Sequence, residues 1–196
     1  MTETRDLPPR LIAIKERLAK DHRSSNKDHV DAVVAVILVE RMEDSGLNLL
    51  LIQRAERADD PWSGQIGLPG GRVKDKDSSV RSALRREVIE EVGIDLEKEA
   101  RELGPLSLGY PMRRTELRVQ PWVYGLAQQP TVTTGTEVSE AFWIDAGELT
   151  AKNGTAQVSI RGERREIEAY TVEGRIVWGF THRVLGELLQ IPEVTA

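Results

Sequence analysis

Three glutamates stand in the last turns of one helical stretch, Arg86-Glu87-Val88-Ile89-Glu90-Glu91-Val92-Gly93-Ile94. Gly93 is suited to the left-handed conformation that ends a helix, so the spacing predicts that the helix stops there. Negative charge at a helix C-terminus opposes the macrodipole. Glu87 lies three residues from Glu90 and four from Glu91, so these carboxylates also repel one another on one helical face. Each such term costs roughly 0.2–1 kcal/mol. A sequence chosen for stability alone would carry Lys or Arg at this end. A bound cation reverses the sign of these terms, and the cluster therefore reads as a divalent-metal site. Carboxylate oxygens suit Mg²⁺ or Mn²⁺. With only His22, His29 and His182 and no cysteine, a zinc site and thiolate chemistry are not expected.

The stretch over residues 71–94 resembles the Nudix box, the signature of hydrolases that cut a diphosphate linked to a further moiety. That box reads Gly, five residues, Glu, seven residues, then Arg-Glu-apolar-x-Glu-Glu-x-Gly-apolar. Its second half matches here at every specified position from Arg86 to Ile94. The first half departs. Counted forward from Gly71 its Glu falls on Asp77; counted back from Arg86 it falls on Ser78. The segment is one residue longer than the usual box, and the extra residue is expected where the loop enters the helix.

The resemblance assigns roles. Glu87, Glu90 and Glu91 occupy metal-binding or base positions, with Glu90 and Glu91 as ligands and Glu87 as ligand or base. The main-chain carbonyl of Gly70 or Gly71 joins the metal shell, and Arg86 orients a box glutamate. Some members take the base from a later loop; Glu137 and Glu140 are the candidates here, Glu137 preferred. Arg54, Gln65, Gly70 and Arg72 are expected to contact the substrate. A metal in such a site polarises the phosphoryl group and acidifies bound water, and a free carboxylate can take the proton.

The preceding segment, Gly64-Gln65-Ile66-Gly67-Leu68-Pro69-Gly70-Gly71, is similar to that of coenzyme A pyrophosphatase-like Nudix proteins. Asp75 and Asp77 after the glycine pair, the longer box and Ile176-Val177-Trp178-Gly179-Phe180-Thr181 point the same way. Trp62 and Leu68 stand where that subgroup has His and Phe, and residues 54–57 are one position out of step. The resemblance thus implies cleavage of coenzyme A or its acyl derivatives. ADP-ribose, dinucleotides and nucleoside triphosphates remain open, as does a catalytically silent nucleotide sensor. Silent members typically lose a box glutamate, and all three are present.

These residues need elements to hold them. An amphipathic helix is predicted over 8–21, then a linker over 22–30. Strands are predicted over 31–40, 48–54, 106–110, 117–127, 141–144, 157–160, 166–172 and 175–178, with a closing helix over 180–190. A polar turn covers 42–46. Residues 55–70 form a long loop with Asp59-Asp60-Pro61-Trp62-Ser63-Gly64-Gln65, and loops of that length in compact domains are more often functional than idle. Intermixed strands and helices give an α/β or α+β class, and the resemblance implies the Nudix α/β/α sandwich around a mixed sheet. Residues 1–29 are read as a helix and linker packed on one domain spanning 30–196.

Some residues have ordinary explanations. Arg113 and Arg114 read as solvated, His182 as structural and Trp178 as core. Arg54 is either a phosphate contact or a surface charge, and Trp62 either stacks on a base or covers the core. The net charge of −5 over 196 residues argues against a nucleic-acid partner, and the resemblance implies a small-molecule diphosphate as the partner. The longest apolar run, 32–39, is too short for a membrane span, and a signal-peptide core is absent from MTETRDLPPR. A cytoplasmic protein is expected, and the resemblance leaves room for a homodimer.

Overall fold

The computed structural model describes residues 7–20, 29–58, 60, 62–112, 115–160 and 162–195. Most of the expected linker, with His22, Asp59, Pro61, Arg113 and Arg114, lies outside them. The chain runs α1 (Pro9–Lys20), β1 (Ala32–Glu40), β2 (Leu47–Arg54), β3 (Ile66–Gly67), β4 (Gly70–Arg72), α2 (Val80–Val92), α3 (Leu96–Glu99) and β5 (Ala100–Pro105). It continues through β6 (Val119–Leu126), β7 (Val138–Asp145), α4 (Ala146–Ala151), β8 (Asn153–Ile160), β9 (Glu163–Val172), β10 (Arg175–Trp178), α5 (Gly179–Leu188) and α6 (Pro192–Thr195). Among the described residues no helix is long and apolar enough to cross a membrane.

β1 organises the larger sheet because it is apolar on both faces. Val36 and Leu38 enter one buried cluster with α1, α5 and α6; Val33, Ala35, Ile37 and Val39 enter another with Ala83, Leu84 and Val88 of α2. A strand covered on both sides loses the apolar–polar alternation and reads as a continuous run. The result is the expected α/β/α sandwich around a mixed sheet: β1 pairs parallel with β6 and antiparallel with β2 and β4. Leu11, Ile14 and Leu18 of α1 are all in the first cluster, so the N-terminal helix is part of the core.

A fork in the sheet sets the position of the site. β1 and β2 pair only from Leu38–Leu49 to Glu40–Leu47 and then part. The segment 66–72 fills the gap, with β3 on β2 and β4 on β1. The amide of Ala35 donates to the Pro69 carbonyl at 2.8 Å, closing the ladder at the turn. β8, β9 and β10 form a separate three-stranded sheet beside the fork.

One strand is displaced from its expected place. Residues 106–110 form no strand, only a Gly109–Val119 bridge; the edge strand is β5. β5 buries Leu103 in the cluster with α1 and Ala100 in the cluster with α2 and turns Glu102 out to Arg81; with only these two apolar anchors the strand reads as polar sequence. β7 is longer than expected, and α3, α4 and α6 were not anticipated; each is only one or two turns long, too short for a periodic signal.

Candidate active site

α2 is fixed at both ends by local chemistry. At its start Ser79 and Ser82 form a reciprocal capping box: the Ser82 amide donates to Ser79 Oγ at 3.0 Å and the Ser79 amide to Ser82 Oγ at 2.9 Å. Ser79 is therefore the entry residue, and Asp77 stays in the preceding loop. At its end Gly93 takes φ 76° and its amide returns to the Ile89 carbonyl. The helix has no acidic residue in its first turn and no basic residue in its last. Its charges are thus arranged against its own dipole, as the sequence suggested.

The segment 133–137 satisfies the carbonyls left open at that end. The Thr133 amide donates to the Val92 carbonyl and the Gly135 amide to the Glu91 carbonyl at 3.0 Å. This docking carries Glu137 to the rim of the cavity that opens in the fork. The cavity measures about 780 Å³, within the ordinary range for small-molecule sites. Glu87, Glu91 and Glu137 all line it, with Arg54, Arg72 and Lys74.

The three box glutamates sit in unequal surroundings. Glu91 is 3% exposed, and its Oε2 accepts from the Gly70 amide at 2.7 Å. Burial pushes its carboxyl up to about 8, against the Gly70 amide and the Arg54 charge, while the Glu87 and Glu137 charges raise it further. Glu87 is 8% exposed and lies against Gly71, where a Cβ would come within 2.6 Å of its carboxyl carbon. Gly70 has φ 147°, and a Cβ there would meet the Val33 carbonyl oxygen at 2.2 Å. The glycine pair therefore lets the backbone pass between β1 and the carboxylates. Glu90 is half exposed and does not line the cavity.

Arg86 holds the cluster together. Its Nε and Nη2 both donate to Asp77 at 2.9 Å, Nη1 donates to Glu87 and reaches Glu90 at 3.4 Å, and Nη2 donates to the Arg72 carbonyl at 3.2 Å. Its guanidinium, with the Lys74 amide, holds the Asp77 carboxyl well below the usual carboxylate range. Asp77 thus orients the orienting arginine, although, counted back from Arg86, it stands one residue off the box register. Arg54 is forked onto Asp60 at 2.8 Å and lies 3.9 Å from Glu91, inside the cavity rather than out in solvent.

Among the described residues no three His, Cys, Asp or Glu side chains converge into a ready metal cage. Lys74, at 3.4 Å, and Arg86 occupy Glu87 instead. The donors nevertheless fit a hard cation. Glu87 and Glu91 offer only oxygen, and a buried carboxyl pushed up to about 8 is a group short of positive charge. Glu87 and Glu91 could hold the ion, and Glu90 could join only by turning inward.

Gln65, Gly70, Gly71 and Arg72 line the cavity, and Glu137 does so while Glu140 is tied to Arg175 at 2.7 Å. Glu137 is paired with Arg57 at 3.1 Å. Trp62 lines the cavity with Phe180, Leu117 and Val119, one continuous apolar wall. Trp178, expected in the core, lines it too, because α5 begins immediately after β10. His182 packs on the Tyr170 ring and contacts Asn153, a structural place. Lys74 was missed. Two residues beyond Arg72 on an extended path, it shares the face of Arg72, and that period-2 spacing was the available signal.

Residues 28–161, well over half of the chain, match the family described as NUDIX domain. An uncharacterized protein of Schizosaccharomyces pombe is 31% identical over 151 residues, 72% of this chain. This chain covers 44% of the length of that relative. The crystal structure of a MutT/nudix family protein from Enterococcus faecalis shares the fold, with a TM-score of 0.51 at 20% identity over 91% of this chain and 72% of that one.

Proposed function

This chain belongs to the Nudix family, and from that premise we propose that it is a pyrophosphohydrolase cleaving the diphosphate linkage of a nucleoside diphosphate derivative. The observation that carries the proposal is the meeting of Glu87, Glu91 and Glu137 with Arg54, Arg72 and Lys74 around one cavity. Water adds to one phosphorus of the bridge, the bridging P–O bond breaks, and the attacking water gives up a proton. Glu137, exposed at the rim, accepts that proton and passes it to solvent. Arg54, Arg72 and Lys74 balance charge on the phosphate oxygens and exclude wrongly charged groups. Glu87 and Glu91, with Glu90 and the Gly71 carbonyl, would hold Mg²⁺ or Mn²⁺, which would polarise the phosphoryl group and acidify water. Arg86, locked by Asp77, keeps Glu87 turned toward the glycine pair.

Coenzyme A or an acyl derivative is the substrate we favour. Both segments behind that preference meet at the cavity: Gln65, Gly70 and Gly71 from one, and Trp178, Phe180 and Thr181 from the other. Thr181 Oγ1 donates to the Ile66 carbonyl at 3.4 Å, joining the two. The test is product release from coenzyme A, acyl-coenzyme A, ADP-ribose, NADH, diadenosine polyphosphates and nucleoside triphosphates, each with Mg²⁺ and with Mn²⁺. Cation-dependent cleavage is expected, strongest on coenzyme A. Preference for another compound discards that substrate and keeps the reaction. Tight nucleotide binding without cleavage of any compound replaces the enzyme with a sensor.

A further inference from the structure

A second depression of about 680 Å³ adjoins the cavity that holds the carboxylates. The two share Asp60, Gln65, Ile66 and Trp178 as a common wall. They meet at the reacting end, because Asp60 holds Arg54 at 2.8 Å and Arg54 stands 3.9 Å from Glu91. A diphosphate seated at Glu87 and Glu91 therefore has space on two sides: along the Trp62–Phe180 wall, and past Asp60 into the second depression.

The linings differ in kind. The first cavity offers Arg54, Arg72, Lys74 and Arg165 beside an apolar wall. The second is lined by Gln53, Gln65, Gln157, Ser63 and Ser159, neutral residues that donate and accept hydrogen bonds; Gln53 already donates to the Gly64 carbonyl and Ser63 accepts from the Arg57 amide. Its one cation among the described residues, Arg175, is tied to Glu140 at 2.7 Å and Glu173 at 3.0 Å. Glu56 and Asp60 add negative charge. Such a surface repels a phosphate and rewards neutral groups that donate and accept hydrogen bonds. Part of its wall comes from β10, which lies beyond residues 28–161 that match the NUDIX domain. The depression therefore depends on a segment that the matched stretch does not include.

We propose that this depression is a subsite for a neutral hydrogen-bonding arm of the substrate, built of sugar hydroxyls or amides, across the diphosphate from the group in the first cavity. The inference rests on the hydrolase reading of that cavity. It makes the substrate a diphosphate with an organic group at both ends, not one that ends in a bare phosphate.

Gln157 and Ser159 are exposed, lie on one face of β8, and do not line the first cavity. Q157W and S159W would fill the depression without touching the carboxylates. KM and kcat are measured on two-armed substrates (coenzyme A, ADP-ribose) and on a one-armed one, a nucleoside triphosphate, and dissociation constants are measured for ADP-ribose and AMP. Both variants are expected to raise KM and Kd for the two-armed compounds about tenfold, the scale of one or two lost hydrogen bonds, with the one-armed values unchanged. Values that do not move, or that move equally for both classes, overturn the subsite. Selective loss of ADP-ribose binding in a protein that hydrolyses nothing keeps the subsite and removes the hydrolase reading.

Discussion

Arg85 and Arg86 are neighbours on one helix, and each is ringed by carboxylates. Arg85 forks Asp95 at 2.7 and 2.8 Å and reaches Glu97; Arg86 forks Asp77 at 2.9 Å and reaches Glu87 and Glu90. One helical step of about 100° separates them. It turns Arg85 toward α3 and Arg86 toward β4. Asp95 is the N-cap of α3, so the Arg85 cluster ties two helices together and lines neither the carboxylate cavity nor the depression beside it. In the Arg86 cluster Glu87 caps nothing, is buried and lies against Gly71. A count of ion pairs would rate the two alike. What separates them is a buried carboxylate with glycine backbone beside it and open space in front.

The largest effect should come from the deepest carboxylate. Glu91→Gln is expected to lower kcat by about 10²–10³, the scale of losing a charge-stabilising group in a water-poor site. Asp95→Asn, at the carboxylate that Arg85 forks, is expected to leave kcat within about twofold, because it acts only on a helix junction. Steady-state rates with Mg²⁺ on the best substrate of the panel decide. Equal losses in both proteins would break the distinction between the clusters.

The arginines give the next contrast. Arg86→Ala strands Asp77 and Glu87 and is expected to cost about 10–100-fold in cation affinity, as removal of groups that orient ligands does, with about 1–3 kcal/mol of stability. Arg85→Ala is expected to cost less stability, because its ion pairs are solvent-screened, and no activity. Mg²⁺ titrations of rate, paired with denaturant melts, separate the two. A smaller effect is expected from Gly71→Ala. Its Cβ would come within 2.6 Å of the Glu87 carboxyl carbon and displace that side chain. The cation concentration for half-maximal rate should rise about tenfold, the lower end for a misplaced group. An unchanged titration would show that Glu87 has room to move aside and that its contact with Gly71 is incidental.

What could be read from the chain follows the range of the forces involved. Helical spacing carried Glu87, Glu91 and the stop at Gly93, because those relations are local, while Arg86 came from the resemblance. β-branched runs marked β1 and β2. Lys74 reaches Glu87 only because β4 and α2 are packed together, and its period-2 spacing from Arg72 places it on a face without saying what that face meets. Trp178 reads as core, for its surroundings depend on where a second sheet docks. Glu90 shows the limit of spacing: adjacent to Glu91, it belongs to the same motif, yet one step of the helix leaves it half exposed while Glu91 is buried. The sequence reading prefers Glu137 to Glu140, and the docking of segment 133–137 on the end of α2 supplies a physical difference between them: Glu137 lines the cavity and Glu140 is tied to Arg175.

Acid titration supplies the finest contrast, since the two clusters should behave alike in stability and differ in rate. Arg85 holds the Asp95 carboxyl down to about 2, and Arg86 holds Asp77 below the usual range as well. A carboxylate depressed on folding contributes stability that is present above its unfolded value, 3.8, and is lost as pH falls toward its folded value. Asp77→Asn and Asp95→Asn should each be less stable than the parent above about pH 5, where both carboxylates are ionised folded or unfolded. The deficit should shrink between about pH 4 and pH 2 as the parent loses the same contribution. Melting temperature against pH, at one salt concentration, measures it. A deficit constant down to pH 2 would mean that packing, not charge, holds these loops. At neutral pH the pair should part: Asp77→Asn loosens Arg86 and with it Glu87, lowering the rate a few-fold, while Asp95→Asn leaves it unchanged, because nothing that Arg85 holds opens onto the cavity.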